Sequence, residues 1–160
     1  MNVLFVCAGN TCRSPMAAAL AARELARIGM AARATSAGVQ AVDDAPASDA
    51  SIQVAGEIGL DLRSHRARLL TRPLVLDADR VFVMDERQRA FIGVLAPEAM
   101  DRVHVLREYA TAGADRHGVA DPFGGDLVAY RRTRDELEDL VRRCLERWSH
   151  ETARGASRSE

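Results

Sequence analysis

The 160-residue chain contains no lysine; all 22 of its basic residues are arginine. A nucleotide-binding loop of the G-x4-G-K-[ST] type is therefore excluded, because its lysine is what reaches the phosphates. Uniform use of arginine is read as a bias of the whole chain, not as an anion-binding signal in itself. Charge of one sign is not in excess either. The formal net charge is −1, so no global field draws nucleic acid or an anionic membrane, and neither is expected as a partner. Cysteine is sparse and odd in number: Cys7, Cys12 and Cys144 do not make the disulfide framework of a small secreted domain and fit a reducing compartment. Long hydrophobic runs are missing. The apolar opening NVLFVC lacks a basic leader and is too short for a signal-peptide core or a membrane span. A cytoplasmic monomer is the expectation.

What is present describes one globular domain, since 48% apolar with 28% charged residues is neither a disordered nor a membrane composition. Residues 2–7 are a Val- and Phe-rich apolar run that reads as a strand buried on both faces. Pro15 suits a first helical turn with Ser14 as its N-cap, and the helix-forming stretch that follows reaches Gly29. Further strands are predicted over residues 31–36, 80–84 and 102–106. Helices are predicted over residues 47–58, near 69–76, from 86 to about 95, and over 127–148. A polar loop is expected from about residue 111 to 125. Strands alternating with helices argue for an α/β fold with a parallel four-stranded sheet and helices on both faces. The domain is expected to cover residues 1–148, with 149–160, poor in apolar residues, as a disordered tail.

In such folds ligands gather at the carboxyl ends of strands, and there the chain carries CAGNTCRSP, residues 7–15. A loop between a strand and a helix N-terminus turns successive N–H groups of Ala8 to Cys12 inward, where the helix dipole adds partial positive charge. Gly9 and Asn10 tolerate the backbone angles this needs. Arg13 can hold two oxygens of one anion side by side. Thiolates are the attacking form of cysteine and gather where N–H dipoles and a guanidinium surround the sulfur, so Cys7 is the expected nucleophile. Ser14 can give a hydrogen bond to that sulfur. Asp121, in DPFGG after the fourth strand, is the expected general acid, and Phe123 a wall of the cleft. Cys7 and Cys12 do not read as a zinc site, for no second ligand pair has suitable spacing.

C-x-G-N-x-C-R-S-P at the N-terminus, with Asp-Pro late in the chain, closely resembles the low-molecular-weight protein tyrosine phosphatases, over residues 1 to about 148. The resemblance implies a phosphatase I-like three-layer sandwich, no metal or organic cofactor, phosphorylated protein substrates and inorganic phosphate as product. It implies a phosphocysteine at Cys7, a phosphate clamp at Arg13 and acid–base chemistry at Asp121. Asn10, Ser14, Ser36 and His65 match the supporting hydrogen-bond network. Cys12 matches a cysteine that can bridge to the nucleophile under peroxide; a small packing residue is its other reading.

Two departures bear on substrate. Tyrosine-specific members similar to this chain carry a bulky aliphatic residue where this chain has Thr11, and two adjacent aromatics after Asp-Pro where it has Phe123 and then Gly124-Gly125. With Thr11, the stretch from Asp121 onward resembles the protein-arginine-phosphatase branch instead, and phosphoarginine is the preferred substrate, phosphotyrosine the alternative. Arsenate reductases on this scaffold need further cysteines, and Cys144 sits at a core-like position of the last helix.

Overall fold

The structure, a computed structural model, describes residues 1–157. Four parallel strands, β1 (Asn2–Cys7), β2 (Arg33–Gly38), β3 (Arg80–Val83) and β4 (Val103–Val105), form one sheet in the order β2-β1-β3-β4. The helices are α1 (Arg13–Arg27), α2 (Asp49–Gly56), α3 (Arg72–Leu76), α4 (Glu86–Leu95), α5 (Leu106–Ala110) and α6 (Leu127–Ala156), with a 3₁₀ turn at Pro97–Arg102. β1 is central and apolar throughout its length from Val3 because both of its faces are covered. Its side chains alternate. Val3, Phe5 and Cys7 enter a core with Phe82, closed by α1, α2, α5 and α6. Leu4 and Val6 enter a second core with Val81 and Val83, closed by α3, α4 and the 3₁₀ turn. The expected parallel α/β sandwich is the observed one.

Helix starts follow local chemistry. The Ser48 hydroxyl accepts the Ser51 N–H at 3.2 Å ahead of α2. Asp85 caps α4, accepting from the N–H groups of Arg87 and Gln88 at 2.9 and 3.3 Å, while Gln88 Oε1 accepts the Asp85 N–H at 2.9 Å. Among the described residues no helix is long and apolar enough to cross a membrane.

Three expectations are corrected. Ser14 is not the cap of α1. Cys12 occupies that position without a side-chain cap bond, and the Ser14 hydroxyl turns inward to Cys7 instead. The fourth strand stops at Val105, and residues 106–110 form α5, which brings Leu106 and Tyr109 into the first core. The segment from 149 onward is not without structure, since α6 continues to Ala156; residues 158–160 lie outside the described residues. The anchor there is polar, which is why the apolar stripe ends at Trp148 while the helix does not. Glu151 accepts from the Tyr109 hydroxyl at 2.7 Å, from Arg147 Nε at 3.0 Å and from Arg80 Nη2 at 3.3 Å. Arg147 also lies over the Tyr109 ring, 4.4 Å from its centroid.

Burial alone would raise the Glu151 carboxyl, but the bonds from Tyr109, Arg147 and Arg80 outweigh it and hold the group below its ordinary value. A carboxyl depressed in the folded state contributes stability above its unfolded pKa, and that contribution is lost as pH falls through the folded one. Glu151→Gln should therefore unfold at lower urea than wild type at pH 7, by about 1 kcal/mol after allowing for solvent screening. The difference should close below about pH 4. A gap independent of pH would show that the charge is not what anchors the helix end.

Candidate active site

β1 ends at Cys7 and α1 begins at Arg13. Residues 8–12 thus form the loop at the carboxyl end of the central strand, beside the point where the chain reverses its direction across the sheet. The loop lies directly on β2 because Gly38 has no side chain: a Cβ there would stand 2.4 Å from the Ala8 carbonyl oxygen and 2.8 Å from Asn10 N. The N–H groups of Gln40 and Ser48 donate to the carbonyls of Ala8 and Thr11, each at 2.9 Å.

Asn10 pins this loop. Its φ is 55°, in the left-handed region that Asn tolerates better than most residues. It is fully buried, and every polar group it owns is used. Oδ1 accepts the Arg68 N–H at 3.0 Å, and Nδ2 donates to Ser14 Oγ at 2.8 Å and Ser36 Oγ at 3.0 Å. Its own N–H points to Cys7 Sγ at 3.3 Å. Its carbonyl lies 2.7 Å from His65 Nε2, and because a carbonyl only accepts, the histidine carries its proton on that nitrogen. Burial lowers the His65 pKa; the Asn10 bond opposes this, and the charges of Arg66 and Arg68 reinforce it.

Cys7 Sγ is 2.9 Å from Ser14 Oγ. Ser14 already accepts from Asn10, and its alternative acceptor, the Ala37 carbonyl, is farther at 3.5 Å, so the hydroxyl proton goes to sulfur. Arg13 is buried although charged. Nη1 donates to the Val119 carbonyl at 3.0 Å and lies 3.9 Å from Asp85 Oδ2; Nη2 is 3.3 Å from Asp121 Oδ2. Nε is buried with no hydrogen-bond partner among the described residues. A buried cationic donor without an acceptor is costly.

Asp121 reaches this position because the preceding segment docks on the end of β3. The Val119 N–H donates to the Met84 carbonyl at 2.9 Å. Gly118 packs on Asp85, where a Cβ would fall 2.7 Å from the Asp85 Cβ. Asp121 Oδ1 accepts the Phe123 N–H at 3.1 Å, which leaves Oδ2 for Arg13.

A cleft of about 210 Å³ is lined by Cys7, Gly9, Thr11, Cys12, Arg13, Asp121 and Phe123. Phe123 is 77% exposed. Ala8, Asn10, Ser14, Ser36 and His65 do not line the cleft; their hydrogen bonds hold the loop from behind. Cys12 donates to Ser48 Oγ at 3.4 Å and lies 3.5 Å from the Tyr130 hydroxyl. Burial and the Cys12 contact push the Tyr130 phenol up to about 12. Cys144 stands apart in α6, donating to the Leu106 carbonyl at 3.3 Å, and burial pushes its thiol up.

Sequence reasoning missed Asp85, Val119, Arg68 and Tyr130 as parts of this site. Asp85 carried a signal, the D-x-x-Q capping pattern at the end of a strand. The others had none, since their contribution is a backbone group or a contact across more than 50 residues of chain.

A parallel α/β sheet with a cysteine and a buried arginine at the two ends of its first strand-to-helix loop defines a phosphate-handling class of protein. Residues 2–154 match the family described as low molecular weight phosphotyrosine protein phosphatase, and the chain belongs to that family. It is 40% identical over 143 residues to the protein-arginine-phosphatase of Bacillus subtilis (strain 168), covering 89% of this chain and 93% of that protein. It is 34% identical over 147 residues to the probable low molecular weight protein-tyrosine-phosphatase EpsP of Ralstonia nicotianae, covering 92% of each. The solved structure of YwlE arginine phosphatase, a cysteine-to-serine mutant with a phosphorylated active site serine, superposes with a TM-score of 0.88 at 36% identity, over 93% of this chain and 96% of that one.

Asn10→Ala leaves the Arg68 N–H without its acceptor and removes the shared donor from Ser14 and Ser36. Urea unfolding should show a loss of about 2 to 3 kcal/mol. A loss below about 0.5 kcal/mol, the usual range of a surface change, would mean that the loop is held by other contacts.

Proposed function

We propose that this phosphatase hydrolyses phosphoarginine residues of protein substrates through a phosphocysteine intermediate. The observation that carries this reading is the meeting of the Cys7 thiol, the Arg13 guanidinium and the Asp121 carboxyl in one cleft. Cys7 Sγ attacks phosphorus in line with the P–N bond, while the N–H groups of the loop and Arg13 hold the three equatorial oxygens. As the S–P bond forms, the P–N electron pair stays with the guanidine nitrogen, which takes a proton from Asp121. Water then attacks phosphorus and gives its proton to Asp121. The S–P bond breaks, sulfur regains its electron pair, and inorganic phosphate departs. Ser14, 2.9 Å from the sulfur, stabilises its charge at both ends of the cycle.

Substrate preference rests on the rim of the cleft. Thr11 lines the cleft beside Gly9, with its hydroxyl 3.8 Å from Cys12 Sγ, and it offers a guanidinium a polar group where an aliphatic residue would offer none. Phe123 is a single aromatic wall followed by two glycines, and a phenol ring gains less there than between two rings. The arginine phosphatases among the relatives support the same choice. Phosphotyrosine remains the second reading, favoured by the exposed face of Phe123. Cys144, sealed in the core, argues against a thiol relay of the arsenate-reductase kind. The reading takes the enzyme to act as a cytoplasmic monomer.

Asp121→Ala should slow turnover of phosphoarginine peptide by about 10²- to 10⁴-fold, with phosphate binding retained and Cys7→Ser as the inactive reference. Unchanged turnover on a poor leaving group would remove Asp121 from the mechanism. Comparing phosphoarginine with phosphotyrosine peptide tests the preference directly: wild type should favour the former, and Thr11→Ile should lower that ratio of kcat/KM. An identical ratio in both proteins would take Thr11 out of substrate choice.

A further inference from the structure

Outside the catalytic cleft, most arginines of this chain have a carboxylate within ion-pair distance. The broad cleft of about 650 Å³ beside β4 illustrates this. There Arg80 and Arg147 pair with Glu151, Arg89 with Glu86, and Arg116 with Glu108. A different cleft, of about 480 Å³, runs along the outer edge of β2 between α1 and the segment 61–68, and in it the pairing fails.

Arg33, Arg66 and Arg68 line this β2 cleft together with His65. None of the three guanidinium groups has a carboxylate partner among the described residues. Arg66 Nη1 donates only to the carbonyls of His65, at 2.7 Å, and Arg63, at 3.4 Å. Arg68 Nε donates to the Ser36 carbonyl at 2.9 Å. Asp61, the acidic side chain on the wall, is engaged by Arg63 through two bonds of 3.0 and 2.9 Å. Burial, and then the charge of Arg33, lower the Arg68 pKa, as expected of cations gathered without a counter-ion. The opposite wall is Ala18, Ala19 and Ala22, small side chains that leave the guanidinium groups room for a ligand.

We propose that this cleft is a second anion site, suited to a phosphate dianion, and that its occupancy raises the affinity of the catalytic loop through Asn10. Guanidinium groups chelate phosphate oxygens in pairs, and three arginines without a carboxylate partner line this cleft. Behind them, Arg68 holds Asn10 Oδ1 with its N–H and the Ser36 carbonyl with Nε, while His65 holds the Asn10 carbonyl. An anion that orders Arg68 and His65 therefore stiffens the two grips on the residue that shapes the loop. The site stands on these contacts whichever phosphorylated residue is the substrate.

The test is a titration of the full chain with inorganic phosphate at constant ionic strength, followed by amide NMR, in wild type and in the R33A/R66A double variant. Both substituted residues are exposed, so the fold is kept, and the remainder of the spectrum verifies it. In wild type, the amides of 33–36 and 64–68 should saturate on their own curve, with a Kd on the order of millimolar, distinct from the curve of residues 9–13. In the double variant the first curve should vanish, and the loop curve should move to at least about twofold higher phosphate. Shifts at 64–68 that stay linear reflect non-specific contact only, and shifts that persist unchanged in the variant report occupancy of the catalytic loop through Asn10; either result overturns the site. A loop midpoint identical in the two proteins overturns the coupling.

Discussion

One buried amide side chain in a left-handed backbone conformation holds the catalytic loop in shape. Asn10 is the residue at which the loop takes its left-handed turn, and the turn persists because each donor and acceptor of Asn10 finds a partner. One partner ends β1, one lies in the first turn of α1, one belongs to β2, and two to the segment 65–68. Breaking the turn would strand several buried polar groups at once, each at about 1–3 kcal/mol. That sum exceeds the roughly 1–3 kcal/mol that an unusual backbone conformation costs. Rigid placement of N–H donors, which electrostatic stabilisation of a phosphoryl group requires, thus comes largely from Asn10, Ser14, Ser36, His65 and Arg68, none of which lines the catalytic cleft.

Arg13 adds a second constraint of another kind. A guanidinium this deeply buried would be prohibitive without partners, and its partners come from chain segments more than 70 residues away: Asp85 after β3, and Val119 and Asp121 in the long loop after α5. Its charge therefore organises the cleft before any substrate enters. The Val119 carbonyl bond fixes one side of the fork, the opposite nitrogen meets Asp121, and Nε is buried with no hydrogen-bond partner among the described residues. Arg13, the proposed anion clamp, also positions Asp121, the proposed acid, so the distance between Asp121 and Cys7 does not depend on the loop that carries Asp121 being rigid by itself.

Much of this was legible in the sequence because the strongest signals were local. The apolar run of β1, the helix-forming stretch of α1 and the C-x5-R-S pattern between them lie within 27 residues, and strand, loop and helix follow from propensity and pattern. Asp121 and Phe123 were found by their place after the fourth strand. Errors arose where tertiary contacts override local preference. Ser14 has the chemistry of a cap, yet the Cys7 sulfur and the Asn10 amide claim its hydroxyl. Leu106 reads as strand, yet the first core needs it and Tyr109 on one helical turn. The end of α6 has no apolar stripe to read, because Glu151, Tyr109, Arg147 and Arg80 hold it by charge and hydrogen bonds. Arg68 and Tyr130 are invisible for a simpler reason: a backbone N–H and a distant hydroxyl leave no mark on spacing.

The same logic explains why the two anion-facing surfaces belong together. Binding at one site alters another only if an element between them differs between the two states, and coupling of free energies is reciprocal. Asn10 is such an element in miniature. Its N–H points to Cys7 Sγ, while its carbonyl and Oδ1 are held by His65 and by the Arg68 N–H, and the side chains of those two residues line the cleft on the β2 edge. Had Arg33, Arg66 and Arg68 been neutralised like the arginines beside β4, this back wall would be a finished structural contact with nothing left to bind. Leaving their charges uncompensated costs stability, and the location of that cost, one hydrogen bond behind the residue that shapes the phosphate loop, is what ties it to the chemistry of Cys7.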